Sequence, residues 1–290
     1  MAGGFNVWWR NKSNFVLRCI FCLARFPWIM LCAPFTRARR EFVKQLSTLL
    51  GWAYPRPRAI VSKCPIASVW PPDGACRVLE PVQADGNVSL IELLCINGLV
   101  RKKQPLRLFE IGTFDGRTSL NMIANAPEGA KLWTLDLPPQ KINSTVYSLN
   151  EGEKSFVNKA GSGARFQDSS CGERIIQLYA DSAKYNPGTL ISTMDLVFVD
   201  GSHTYNYVLS DTRLAMKLLR PGGLLIWHDY DGVWPDVTNA LNKLFSEDPR
   251  MVHMRSIEGT TLVFAVIDSN NGALLNEHDP FPFAQGLVKL

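Results

Sequence analysis

The stretch Leu106–Ser119 reads LRLFEIGTFDGRTS and decides the fold. Leu106, Leu108, Phe109 and Ile111 form an apolar run that predicts a strand. Gly112-Thr113-Phe114-Asp115-Gly116 predicts a tight turn, and Ser119-Leu120-Asn121-Met122-Ile123-Ala124 opens a helix. A strand, a glycine turn and a helix in this order belong to an open α/β sheet, where ligands bind beyond the carboxyl ends of the strands. Gly112 and Gly116 lack Cβ atoms and can adopt φ > 0, so the turn can close under a nucleotide-like ligand. The spacing is G-x-x-x-G rather than the G-x-G-x-x-G of dinucleotide sites. Glu110 and Asp115 flank the glycines, and their carboxylates would repel a pyrophosphate while welcoming a cationic or hydroxyl-rich ligand.

The chain of 290 residues is 46% hydrophobic and 20% charged, enough for a proper core. Its net charge of +5 is unevenly placed. Arg10, Lys12, Arg18, Arg25, Arg37, Arg39 and Arg40 stand in residues 1–40 without one acid, leaving −2 (5 − 7) on the rest. A basic, nucleic-acid-binding body is therefore not indicated. Seven scattered cysteines suit reduced thiols in a cytoplasmic setting better than a disulfide framework. Cys19-x-x-Cys22 has redox or zinc spacing but neither a second pair nor a nearby histidine.

Residues 1–50 read as a basic, apolar helical extension. Its longest uncharged run, Phe26 to Thr36, is eleven residues, short of the roughly 18 a membrane span needs. Residues 10–40 suit a helix lying peripherally in a membrane interface. A signal peptide, an organellar presequence and a helix packed on the body or on a second copy in a homo-oligomer compete with that reading. Residues 51–85, with Pro55, Pro57, Pro65, Pro71, Pro72 and Pro81, predict an extended linker. Val88–Val100 predicts a helix with Ser89 near its cap.

Downstream, Lys131–Leu137 predicts a second strand. Asp136, 24 residues past Gly112, stands where an acid can accept both hydroxyls of a ribose. Residues 138–172 read as a glycine-rich excursion of the kind that covers a site. Ile175–Asp181 and Met194–Asp200 predict strands ending in acids. A helix over Tyr205–Arg220 is stopped by Pro221-Gly222-Gly223, and Leu224–Trp227 predicts a fifth strand followed by His228-Asp229-Tyr230. Pro235–Phe245 reads as a helix. Val252–Ile257 and Thr261–Ile267 form a hairpin around Glu258-Gly259. Residues 269–290 read as an irregular tail.

FEIGTFDGRTS, LWTLDL, QLYADS and MDLVFVDGSHTYNYVLSDTRLAMKLLRPGGLLIWHDY, in this order, resemble the class I S-adenosylmethionine-dependent methyltransferases, in particular a bacterial branch with DGxHxY and HDY segments. The resemblance covers residues 88–268. It implies a Rossmann-like, doubly wound, seven-stranded sheet with a C-terminal antiparallel hairpin, in a methyltransferase domain over 86–268. It also implies S-adenosyl-L-methionine as cofactor, held by Glu110, Gly112, Thr113, Phe114, Gly116, Asp136, Asp181, Ser182 and Asp200. The cofactor's sulfonium, ribose diol and amine all suit carboxylates.

At the reaction centre, two arrangements are open. In one, Asp200 and Asp229 hold a divalent cation such as Mg²⁺, although related enzymes often add a further Asp or Asn where this chain has Tyr230. In the other, His203 or His228 serves as a metal-free general base beside Asp200. Tyr205, Tyr230, Trp227 and Trp234 could line an acceptor pocket or belong to the core. The expected function is O-methylation of a small or medium hydroxylated acceptor: a sugar, a glycolipid or a secondary metabolite. A catalytically silent cofactor-binding or membrane-associated scaffold is the alternative, and a nucleotide-dependent oxidoreductase is the weaker one.

Overall fold

A computed structural model describes residues 57–71, 73–158 and 161–267. The expectations for residues 1–50 and for the C-terminal tail lie outside the described residues. Among those described, no helix is long and apolar enough to cross a membrane.

The elements are β1 (Lys63–Cys64), α1 (Leu90–Lys103), β2 (Arg107–Ile111), α2 (Arg117–Asn125), β3 (Lys131–Asp136), α3 (Glu151–Val157), α4 (Ala164–Gln167), β4 (Ile175–Tyr179), β5 (Met194–Val199), α5 (Tyr205–Leu218), β6 (Leu219–Trp227), α6 (Pro235–Glu247), β7 (Arg255–Ile257) and β8 (Val263–Ile267). The sheet runs β1-β7-β8-β6-β5-β2-β3-β4. β8 lies antiparallel to β6 and β7, and the other pairs are parallel.

Alternation along the strands makes two cores. Phe109, Val197, Val199, Leu225 and Trp227 pack under α5 and α6 with Val208, Leu218 and Leu241. Leu108, Leu196, Phe198, Leu224 and Ile226 face α1 and α2 with Leu93, Ile96 and Ile123. Each central strand is buried on both faces, as expected for parallel strands covered by helices.

Seven strands and the hairpin agree with the sequence reading, and an eighth was not expected. β1 comes from the proline-rich stretch and pairs with β7, Lys63 beside Ser256 and Cys64 beside Ile257. Further along, residues 77–81 are zipped to the domain by side chains. Asn125 Oδ1 accepts from Arg77 N (2.8 Å), and Asn121 both accepts from Leu79 N and donates to Leu79 O (2.9 Å each). The buried Arg117 donates to Glu80 O (2.7 Å) and Val88 O (2.8 Å). These partners satisfy backbone groups that an extended proline-rich chain cannot pair within itself. The stretch from residue 57 therefore behaves as part of the body.

Ser89 caps α1 in a full capping box with Glu92. The α5 helix ends at Leu218, and β6 takes up Leu219 and the Pro-Gly-Gly segment. The excursion 138–172 is not all loop. Asn150 and Glu153 form a second capping box that starts α3, and Gly163 starts α4.

The sheet switches direction around β2, which has β5 on one side and β3 on the other. Ile111 is level with Leu135 and Val199, and Val199 is level with Trp227. Consequently Gly112, Asp136, Asp200 and His228 leave the sheet side by side at its carboxyl edge. A ligand crevice is expected at such a switch point.

Candidate active site

A cavity of about 370 Å³ opens along that edge. Gly112, Phe114, Asp136, Asp181, Ser182 and Asp200 line it, together with His203, His228, Asp229 and Trp234. Glu110, Thr113 and Gly116 do not reach its wall. Glu110 is buried beneath the turn, where its carboxylate accepts from Thr134 Oγ1 (2.6 Å) and from Ser119 Oγ. Burial pushes its pKa up to about 8 against those hydrogen bonds.

The glycines are explained by the protein's own packing. At Gly112 (φ 96°) a Cβ would stand 2.0 Å from the Asp200 carbonyl oxygen, and at Gly116 (φ 85°) it would meet the Phe166 ring at 2.5 Å. Asp115, expected to face the ligand, accepts instead from Asn87 Nδ2 (2.9 Å) and Arg165 Nε (2.8 Å).

Asp136 accepts from Ser162 Oγ (2.5 Å), and burial raises its pKa. Asp181 accepts from Tyr207 Oη (2.9 Å), Ala183 N (3.0 Å) and Val146 N (2.8 Å). The two acids mark one end of the cavity. Behind Asp181, Asp211 of α5 is buried, and burial pushes its pKa up to about 7.

The other end holds an alternation of acids and imidazoles. His228 Nδ1 lies 3.0 Å from Asp200 Oδ1 and 3.5 Å from Asp229 Oδ2, and its Nε2 lies 3.4 Å from Glu92 Oε2. His203 Nε2 lies 2.8 Å from Asp229 Oδ2, and its Nδ1 lies 3.3 Å from Glu153 Oε1. The His203 ring stacks on Trp234, centroids 4.4 Å apart and planes 12° from parallel. Asp229 holds φ 65°, a left-handed conformation that Asp adopts more readily than most residues.

Burial alone would lower both histidine pKa values. For His203 the hydrogen bonds of Asp229 and Glu153 prevail and carry it to about 9. His228 is held well above its usual value by the charges of Asp200 and Asp229. In turn, burial would raise Asp229, but the His228 charge and the His203 hydrogen bond hold it low. At neutral pH the cluster thus carries two imidazolium ions among the carboxylates of Glu92, Glu153, Asp200 and Asp229, a net excess of negative charge suited to a cationic ligand.

Asp200, His203 and Asp229 could each offer a ligand atom within 4.8 Å of the others. The donor set does not fit magnesium. It mixes a nitrogen with two carboxylates that already face imidazole nitrogens at 2.8 Å (Asp229) and 3.0 Å (Asp200), whereas Mg²⁺ seeks a near-octahedral oxygen shell. An S-adenosylmethionine molecule does fit the donor chemistry, since hydroxyl and amine donors would meet Asp136 and Asp181 and a sulfonium would meet the acidic cluster.

Sequence reasoning missed Glu92 and Glu153. The S-x-x-E of Ser89–Glu92 was a legible capping signal, but not one that points to a site. Of the four aromatic candidates, only Trp234 lines the cavity. Trp227 is buried with Nε1 donating to Thr212 Oγ1 (2.9 Å). Tyr230 is buried in the core, where its hydroxyl accepts from Ile60 N (2.8 Å) and Val61 N (2.9 Å) and donates to Asn242 Oδ1 (2.7 Å). Tyr205 packs partly buried against the same core.

Residues 109–230 match the model of a methyltransferase-domain family. The chain is 28% identical over 148 residues to an uncharacterised protein of Acanthamoeba polyphaga mimivirus, spanning 50% of this chain and 62% of that one. Among solved structures it is similar to the O-methyltransferase TomG of Streptomyces achromogenes (20% identity, 63% and 82% of the two chains, TM-score 0.45). It is also similar to an O-methyltransferase of Bacillus cereus (15%, 64% and 84%, TM-score 0.45) and to a methyltransferase of Podospora anserina (18%, 81% and 98%, TM-score 0.47). The match to a methyltransferase-domain model thus runs from within β2 to just past β6 and includes the strand-end acids Asp136, Asp181, Asp200 and Asp229.

Proposed function

We propose that the chain methylates a hydroxyl oxygen of a small or medium acceptor such as a sugar, a glycolipid or a secondary metabolite. One observation carries the reading: Asp200 and Asp229 meet at one end of a cavity whose other end holds Asp136 and Asp181. S-adenosyl-L-methionine would supply an activated methyl group on a sulfonium. Asp136 would accept from the ribose hydroxyls. Asp181 and Ser182 would meet the adenine amine, and the Gly112–Phe114 backbone would pass beneath the remainder. Glu110, Thr113 and Gly116 support that turn from below.

At the reacting end, His228 holds one oxygen of Asp200. The other oxygen would accept the hydrogen bond of the acceptor hydroxyl and take its proton as the O–CH3 bond forms and the S–CH3 bond breaks, with S-adenosylhomocysteine as the leaving group. His203 and His228, protonated at neutral pH, would hold the two carboxylates in place rather than act as the bases themselves. Positioning of the two reactants supplies about 7–11 kcal/mol in well-oriented systems, so a modest base suffices. The basic segment at residues 10–40 favours an acceptor presented at a membrane surface. The folded unit would begin near residue 57 rather than 86, because β1 pairs with β7 and side chains of α2 bond the backbone of residues 77–79.

Calorimetric titration with S-adenosylhomocysteine tests the cofactor assignment. Micromolar binding is expected, unchanged by Mg²⁺ or by chelator, and weakened about tenfold or more in Asp136→Ala, the loss of one strong hydrogen bond to a charged group. An absence of binding by the folded protein would return the scaffold alternative.

A further inference from the structure

Glu153 stands on α3, inside the excursion, yet its carboxylate reaches the loop after β5. Its Oε1 accepts from Ser202 Oγ (2.9 Å) and from the His203 backbone N–H, and lies 3.3 Å from His203 Nδ1. Its Oε2 accepts from Asn150 N (2.9 Å) and closes the capping box that starts the helix. The same helix lines the cavity with Phe156 and Val157, and the Phe156 ring meets Phe114 of the glycine turn edge-on at 5.9 Å. On its other flank, a Cβ at Gly152 would sit 3.5 Å from the Trp234 ring that stacks on His203. One short helix therefore touches the cofactor end through Phe156 and the reacting end through Glu153.

We propose that Glu153 is a positioning residue that joins the cover of the cofactor cavity to the alignment of His203 and, through it, Asp229. The inference rests on the methyltransferase reading for what fills the cavity, but the joint itself is a property of this chain. Glu153 is 4% exposed, and a buried carboxylate with three partners on one distant loop is not needed merely to cap a helix. Capping uses one oxygen, and the other is spent on Ser202 and His203.

The two duties can be separated. Glutamine at the N3 position of a capping box replaces glutamate well, so Glu153→Gln keeps α3 while removing the charge shared with His203. Hydrogen exchange of the full chain, with and without saturating S-adenosylhomocysteine, reads the joint. In the ligand-free protein, Glu153→Gln is expected to speed exchange of the 202–204 amides about tenfold or more, the loss of a charge-assisted hydrogen bond. Exchange over 154–158 should stay near wild type. On adding the ligand, the wild type should gain protection at both 154–158 and 202–204, and the variant at 154–158 alone. Ser202→Ala should give an intermediate result.

Equal protection of 202–204 in wild type and Glu153→Gln would overturn the joint. So would uniform loss across α3 and the loop, which marks Glu153 as a structural acid only. A wild type that fails to bind S-adenosylhomocysteine would instead sink the methyltransferase reading, and the ligand-free comparison would still decide the role of Glu153.

Discussion

The two histidines of the reacting end have similar neighbours and different foundations. His228 follows β6 directly, and its outer carboxylate, Glu92, is fixed four times over. Glu92 accepts from Ser89 N (2.8 Å) and Ser89 Oγ (2.7 Å) at the start of α1, and from Thr261 N (2.9 Å) and Thr261 Oγ1 (2.8 Å) in the β7–β8 turn. His203 sits on a loop, and its outer carboxylate comes from an inserted helix that also covers the cavity. The lesson is that one chemical unit, an imidazole between two carboxylates, can be anchored to a long capped helix and the hairpin or to a short helix of the cavity wall. Which it becomes depends on what holds the outer acid.

The largest expected effect breaks the foundation common to both. A chain starting at residue 86 would lose β1, the partners of Asn121 and Asn125, and the backbone that the Tyr230 hydroxyl holds. Several buried polar groups left unpaired cost about 1–3 kcal/mol each. Calorimetry or circular dichroism should show no cooperative transition for that chain, and a clean one for residues 57–290.

Within the site, Asp200→Asn separates chemistry from binding. Methyl transfer to any accepted hydroxyl compound should fall about 10²–10⁴-fold, the range for a positioned proton acceptor. Affinity for S-adenosylhomocysteine should change by about threefold or less. A near-normal rate would move the proton to another group.

The protonated histidines also set a pH signature. The His203 pKa is raised in the folded state, from an ordinary 6.5 to about 9. Its contribution is therefore fully present below pH about 6.5 and is lost as pH rises through 9. At about 1.4 kcal/mol per unit, up to about 3 kcal/mol of stability should disappear over that window. Glu110 pushes the same way, because its neutral form is favoured by the fold up to about pH 8. Urea unfolding at several pH values should show the decline, and His203→Asn should flatten its upper half.

The smallest effect sharpens the contrast of foundations. Glu92→Gln should cost about 1–2 kcal/mol of global stability, since it weakens hydrogen bonds that hold α1 to the hairpin. Glu153→Gln should cost less global stability than Glu92→Gln, its loss being confined to the joint between α3 and the loop. Thermal melts of the two variants side by side check this, and equal costs would remove the distinction.

How far the sequence reached can be judged from particular residues. Asp136, Asp200 and His228 each follow directly on an apolar run, so their position at a strand end is a local property and was legible. Asp115 shows the limit. Its neighbours in sequence placed it beside the ligand, but Asn87 and Arg165, 28 and 50 residues away, turned it toward the protein. The sequence leaves Tyr230 open between an acceptor pocket and the core; the structure puts it in the core, where its hydroxyl holds the backbone of Ile60 and Val61. The prolines between 55 and 81 predict an extended linker, but they do not reveal that the described part of that stretch forms β1, a 3-10 turn at Ile66–Ser68 and a segment paired to side chains of α2.

Local chemistry therefore determined the periodic strands, the glycine turn and the order of acids along the carboxyl edge, because strand ends and turns are written in neighbouring residues. Tertiary structure alone decided which acids face the cavity and which are consumed by the fold. It also set the protonation of the histidines and brought Glu92 and Glu153 to them. Those outcomes depend on burial and on contacts across as many as 169 positions, as between Glu92 and Thr261, and no local pattern encodes the desolvation and charge pairing that such contacts create.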